Sequence, residues 1–186
     1  MDRPVPLDVT VATYLAFLRA INLGAVRKFG KADVLRVTQE AGFTGVETYL
    51  NTGNVRLETS MRSTAKIEAA LEAAYLADRG FEVPTLVFTP AELREVHEAA
   101  GAVEHDGKHY VALLRDAPDP AAVDVLRQRC QPGERLEIGG RALHWLVGAD
   151  GVHGTKITNN LIEKALGTVA TTRNPTVVAE VCSRWC

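Results

Sequence analysis

The stretch "YLAFLR" (residues 14–19) returns as "YVALLR" (residues 110–115), and each copy is followed by "DVLR", at residues 33–36 and again at 124–127. A recurrence of this kind constrains the fold before any single residue does. Whatever the first half folds into, the second half must fold into again, and each copy must be a supersecondary unit that buries part of itself on the other.

Periodicity supplies the content of the unit. "ATYLAFLR" is short, apolar and aromatic, the pattern of a buried strand. "KADVLRVTQEAGF" spaces Val34, Leu35, Thr38 and Ala41 as a helix does and stops at Gly42. "GVETYLNTGNVRLET" is two strand-like runs about Thr52 and Gly53, hence a hairpin, because glycine tolerates the positive φ of a tight turn. "STAKIEAALEAAYLADRG" sets Ile67, Leu71 and Tyr75 four apart and ends at Gly80. "FEVPTLVFT" closes the unit as a strand. The second half replays this order. "HYVALLR" is a strand, and "DPAAVDVLRQRC" is a helix with Asp119 as N-cap and Pro120 at its first position. "ERLEIGGRALHWLV" is a hairpin about Gly139 and Gly140. "GTKITNNLIEKALG" is a helix with Ile157, Leu161 and Ala165 on one face, and "TVATT" is a final strand. "TPAELREVHEAAG" carries a capping box, Thr89 with Glu92, and connects the halves as a helix. "NPTVVAEVCSRW", capped by Asn174 with Pro175 behind it, forms a terminal helix.

Strand, helix, strand, strand, helix, strand is the split βαβ, or ferredoxin-like, plan. The expected fold is therefore α+β: two tandem ferredoxin-like (βαββαβ) units at residues 11–89 and 102–186. A connecting helix at 90–101 joins them, the antiparallel sheets have helices packed on one face, and a C-terminal helix follows. Each unit alone is small for an independent core, so the two are expected to share an interface.

Bulk properties remove several function classes. A net charge of −2 across 186 residues provides no global attraction to nucleic acid or an anionic membrane surface. "MDRPVPLDVT" has neither the basic nor the apolar region of a signal peptide, and no stretch approaches the roughly 20 apolar residues of a membrane helix, so a cytoplasmic protein is expected. Three cysteines in no framework spacing read as reduced thiols. Cys182 and Cys186 stand four apart but supply only half of a tetrahedral zinc site. His97, His105 and His109 read as a helix end and turn, and Cys130 as core beside Val123 and Leu126. No metal or cofactor is expected. Neither GxSxG nor HExxH occurs, and "GADGVHGTK" lacks the Walker spacing, so the sequence leaves open whether the protein is an enzyme.

The difference between the copies locates a site. From the closing arginine of the strand to "DVLR" the first copy takes fourteen positions and the second nine. The surplus lies in "AINLGAVRKFGKA", a longer loop, and loops carry function more often than frameworks do. The first two strands of the plan run parallel, which puts this loop beside the first hairpin turn. Arg19, Asn22, Gly24, Arg27 and Lys28 are thereby placed near Asn51, Thr52, Gly53 and Asn54, an anion-binding inventory of cations, amides and glycines. The competing reading is a solvated loop of ordinary turn formers. A second candidate joins Thr155 and Lys156 of "GTKITNN" to Arg173 and Asn174 of "TTRNP", where helix N-termini attract anions. Ordinary capping competes with it.

"FLRAINLG", "TYLNTGNVRLE", "GTKITNNLIEKALG" and "ATTRNPTVV" together resemble the bacterial family catalogued as domain of unknown function 1697. The resemblance implies a duplicated ferredoxin-like fold and, position by position, points to Arg19, Asn22, Gly24, Gly53, Asn54, Lys156, Arg173 and Asn174. Ala20 and Ala25 stand where that family favours glycine, and Pro175 where it favours tryptophan. Three function classes follow. The first is a small-anion or nucleotide-type binding protein, with Arg19, Asn22, Asn54 and Arg173 as polar contacts. RNA binding is the second, because RNA-recognition motifs share the plan, although "NTGNVRLET" lacks their aromatic pair. The third is a structural or partner-binding protein that forms a homo-oligomer.

Overall fold

The computed structural model describes residues 10–24, 26–148 and 154–186. Fourteen elements follow one another: β1 (Ala12–Leu18), α1 (Lys31–Glu40), β2 (Thr44–Tyr49), β3 (Asn54–Thr59), α2 (Thr64–Arg79), β4 (Thr85–Phe88), α3 (Pro90–Gly101), β5 (Lys108–Leu114), α4 (Pro120–Arg127), β6 (Arg135–Ile138), β7 (Ala142–Val147), α5 (Asn159–Leu166), β8 (Ala170–Arg173) and α6 (Pro175–Trp185). They build an α+β protein with two four-stranded antiparallel sheets, ordered β2-β3-β1-β4 and β6-β7-β5-β8. The same order and connections occur in both.

The central strands explain the unbroken apolar runs of the repeat. Tyr14, Ala16 and Leu18 of β1 face α1 and α2, while Leu15 and Phe17 face the opposite way into a second core. In β5, Ala112 and Leu114 face α4 and α5, and Val111 and Leu113 enter that same second core. A strand covered on both faces needs no polar alternation. Four helices thus cover the outer faces, and the inner faces of both sheets share one apolar cluster, in which Phe17 and Phe88 meet edge-on with centroids 5.7 Å apart.

The remaining two helices depart from the expected plan, because they lie on the inner faces and cross over. α3 follows the first sheet, packs on its β1 and β4, and also reaches the hairpin turn of the second. Arg141 of the β6–β7 turn is 3.3 Å from Glu92, and a Cβ on Gly139 would meet Ala99 at 2.5 Å. α6 follows the second sheet but reaches the first, where Trp185 Nε1 donates to Glu47 (3.2 Å) and Arg184 lies 4.7 Å from the Tyr49 ring. Both begin alike: a capping residue, Thr89 or Asn174, followed by proline at N1. "TP" and "NP" are therefore one more repeated signal, and α3 is the counterpart of α6 as well as a connector.

α5 also corrects the sequence expectation. It begins at Asn159, capped by Thr158, whose hydroxyl accepts from Leu161 N, so Thr155 is no cap and Ile157 precedes the helix. Ile157 is nevertheless core. The Thr155 hydroxyl is drawn off by Glu134, whose carboxylate also accepts from Trp145 Nε1 (2.7 Å) and Gln131 N (2.8 Å). α4 stops at Arg127, which leaves Cys130 beyond the helix but packed on the third core.

Candidate functional site: a groove where the two halves meet

The arginines that close the repeated strands perform reciprocal tasks. Arg19, just after β1, donates from Nε to Ala170 O (3.1 Å) at the start of β8 and from Nη2 to Glu163 of α5 (2.6 Å). The other Glu163 oxygen accepts from Ala170 N (2.9 Å). Arg115, just after β5, donates to Thr85 O (2.9 Å) at the start of β4 and to Glu72 of α2, and Glu72 accepts from Thr85 N (2.8 Å). Each half's arginine clamps the other half's last strand through a helix carboxylate. That is the physical content of the recurring "LR". Arg19, expected as a free anion contact, is thus already paired with Glu163.

Arg173 is different. At the end of β8 it is 8% exposed and has no carboxylate within ion-pair distance among the described residues. Its donors go to neutral acceptors. Nε binds Asn54 Oδ1 (2.7 Å), Nη1 binds Thr171 Oγ1 and Thr172 O (both 2.9 Å), and Nη2 binds Thr52 O (2.7 Å), Leu18 O (3.1 Å) and Gly53 O (3.3 Å). Burial pulls its pKa down to about 10, which still leaves it charged at neutral pH. The cation pins the first hairpin turn and β1 to the second sheet, and Asn54 is consumed in the same act, with its Nδ2 donating to Tyr49 O (2.8 Å).

The long loop and the hairpin turn are in contact. Asn22, with φ +56°, donates from Nδ2 to Phe29 O (2.9 Å) and Asn51 O (2.5 Å) and accepts from Phe29 N (2.9 Å). Its carboxamide therefore holds the loop closed against the turn. Gly53 permits this approach, since a Cβ there would fall 2.6 Å from Leu18 Cβ and 2.9 Å from Ile21 Cδ1. Arg27 turns away instead, donating to Glu82 O and lying 4.9 Å from the Phe81 ring. Lys28 and Lys156 are exposed, Gly24 has φ +64° in open space, and Asn174 caps α6 by accepting from Val177 N (2.8 Å). Ala25 lies outside the described residues.

What these contacts enclose is a groove of about 480 Å³ between the halves. The loop contributes Arg19, Ala20, Ile21, Asn22 and Leu23, the turn Asn51 and Thr52, α5 its first residues Asn159 and Asn160, and β8 Thr171, Thr172 and Arg173. No carboxylate lines it among the described residues. Three asparagines there have their oxygen committed internally: Asn51 Oδ1 accepts from Lys31 N (3.2 Å), Asn159 Oδ1 from the Thr172 hydroxyl (2.6 Å) and Asn160 Oδ1 from Arg19 (3.0 Å). Their NH2 groups have no protein acceptor among the described residues, so the groove offers hydrogen-bond donors in excess of acceptors. The N-terminus of α5 adds its partial positive charge at the same place.

Asn51, Asn159, Asn160 and Thr172 were not legible as a set from the sequence. Their only signal was position: the hairpin turn and the "TNN" that opens α5 are brought together by the packing of the halves. The histidines scatter differently from the sequence order. His109 pairs with His144, Nε2 to Nδ1 at 3.1 Å, away from this groove, and no group of three or more metal-ligating side chains occurs among the described residues. No described helix is long and apolar enough to cross a membrane.

Fold and groove define a class: an α+β protein of two like-ordered sheets with a donor-rich cleft at their junction. The chain belongs to the family described as "Protein of unknown function (DUF1697)", whose model matches residues 11–144. That span includes Arg19, Asn22, Gly24, Gly53 and Asn54, whereas Lys156, Arg173 and Asn174 lie beyond it. Among solved structures the chain is similar to a conserved bacterial protein, SP0830 from Streptococcus pneumoniae. The identity is 18% and the TM-score 0.73, over 94% of this chain and 98% of that one, a likeness of fold. No curated protein sequence matches the chain.

Proposed function

We propose that this protein is a cytoplasmic small-ligand-binding protein built from two ferredoxin-like units, residues 11–89 and 102–186, and that its ligand is a phosphate- or carboxylate-bearing, nucleotide-like molecule held in the groove. The reading rests on one observation: a buried, protonated Arg173 without a carboxylate partner among the described residues sits in a lining whose described residues include a second arginine and four asparagines but no acid. Burying a charge without a counter-charge is costly, and an anion in the groove offsets that cost. Because Arg19 is neutralised by Glu163 and the donors of Arg173 are saturated, the direct contacts fall to the free NH2 groups of Asn51, Asn159 and Asn160, with Arg173 acting through its field. Of the residues favoured from the sequence, Arg19, Asn22, Gly53, Asn54 and Arg173 build the cleft. Gly24 and Lys156 are not among its lining residues, and Asn174 caps α6. The cleft's volume lies within the ordinary range for small-molecule sites.

Calorimetric titration with inorganic phosphate, nucleoside monophosphates and small dicarboxylates tests this. Asn51→Asp and Asn160→Asp each keep the internally bonded oxygen but replace the free donor by an anionic oxygen. Each is expected to weaken binding about tenfold or more. Equal binding by the variants, or no saturable binding by the wild type, rejects the reading. RNA binding gains no support, because the inner sheet faces that an RNA-recognition motif would use for base stacking are buried against each other.

A further inference from the structure

The last turn of α6 carries two thiols that the groove does not use. Cys182 is buried at 8% exposure, with Sγ 3.6 Å from Leu93 O of α3, and Cys186 is exposed at the C-cap, its N–H donating to Cys182 O (2.9 Å). The spacing is one α-helical turn, which sets the Cα atoms about 6 Å apart, within the Cα range of a disulfide. The Cβ atoms of a regular turn stand about 5–6 Å apart, so closure requires Cys186 at the C-cap to swing towards Cys182. Arg94 of α3 reaches the same point, donating from Nη1 to Cys186 O (2.5 Å).

We propose that Cys182 and Cys186 form a reversible dithiol–disulfide modification site, with peroxide as the oxidant, in which exposed Cys186 reacts first and buried Cys182 resolves. The Cys186 thiolate attacks one peroxide oxygen, the O–O bond breaks, and hydroxide leaves as water after taking up the thiol proton. Cys182 sulfur then attacks the Cys186 sulfenic acid, the S–O bond breaks, and the second water carries away the Cys182 proton. Two thiols and one hydrogen peroxide give one disulfide and two waters. The environments divide these roles. The neighbouring Cys182 and Arg94 hold the Cys186 thiol below the ordinary range, whereas the proximity of Cys186 and burial push Cys182 up. The remaining cysteine, Cys130, is partly buried and distant in the fold from this pair, and burial together with Glu134 pushes its thiol up, so it is a poor first nucleophile. Closure withdraws the Cys182 sulfur from Leu93 O, which links the thiol state to the α3–α6 contact.

The full chain is treated with hydrogen peroxide, and intact mass and free thiols are measured with and without dithiothreitol. The expected result is a loss of about 2 Da within the monomer, two of the three thiols consumed, and full reversal by the reductant. A Cys130→Ser variant is expected to behave identically. Cys186→Ser, at an exposed position that does not threaten the fold, should abolish the mass loss. Stepwise oxygen addition to the wild type, covalent dimers in place of the internal bond, or a mass loss that persists in Cys186→Ser each overturns the proposal.

Discussion

Ala20 occupies a backbone conformation that its side chain disfavours. Its φ is +57°, in the left-handed region, where a Cβ costs roughly 1–2 kcal/mol. The resemblance to a family with glycine here thus has a physical basis: the chain must reverse sharply as it leaves β1 so that Arg19 reaches the second half and Asn22 reaches the hairpin. Ala20→Gly is expected to raise stability by about 0.5–1 kcal/mol, the relieved strain being partly offset by the larger entropy of a glycine in the unfolded chain. Urea denaturation measures it, and a destabilised variant would show that the methyl group is needed in the groove. Individual side chains also mark where sequence reading reaches its limit. Gly53 was legible as a turn position, because its positive φ gives it a backbone reason to be itself, whereas Asn22, read as a ligand contact, has its side chain engaged in closing the loop. The fates of Arg19 and Arg173 were not legible. Whether a guanidinium meets carboxylate, carbonyl or solvent depends on residues more than a hundred positions away.

At the scale of elements, β5 and β7 carry a pH-sensitive pair. His144 is 1% exposed, and its ring packs against Gly139 with Nε2 unpartnered among the described residues, while Nδ1 meets His109 of β5. Burial first, then His109, lowers the His144 pKa to about 4, and burial, then His105, lowers that of His109. A histidine depressed in the folded state is neutral there, whereas the unfolded chain takes up its proton below about pH 6.5. Stability from this pair is therefore complete above pH 6.5 and falls as the pH drops towards 4, by up to about 3 kcal/mol for His144 alone. Denaturation midpoints between pH 7 and 4.5 should show the decline and His144→Phe should flatten it. A wild-type profile without that decline would refute the assignment. Most elements were legible because caps, glycine stops and periodicity act locally: Thr89, Asp119 and Asn174 all cap as their sequence contexts imply. The start of α5 was misplaced because two threonines competed for the cap, and only Glu134, arriving from the second hairpin's approach, settles which hydroxyl is free.

The whole molecule is held by an exchange. Arg19 and Arg115 clamp opposite halves, α3 and α6 pack on each other while each reaches the other half's hairpin, and one apolar cluster is common to both. Phe17 lies at its centre, fully buried. Phe17→Ala is expected to cost about 3–5 kcal/mol and to lower the stability of both halves together. In a Trp185→Phe background the fluorescence of Trp145, which reports the second half, and far-UV circular dichroism should then shift in concert through one transition. Separate transitions would mean that the halves fold independently.

The sequence by itself determined the order of elements, the repetition of that order, and the family, because strand and helix patterns, caps and glycine turns are written in neighbouring residues. Only the tertiary structure decided which polar groups remain available. The groove's donors are those left over after Glu163 takes Arg19, backbone carbonyls take Arg173, and Lys31, Thr172 and Arg19 take the asparagine oxygens. Such a remainder is a property of contacts between distant segments, and no local pattern encodes it.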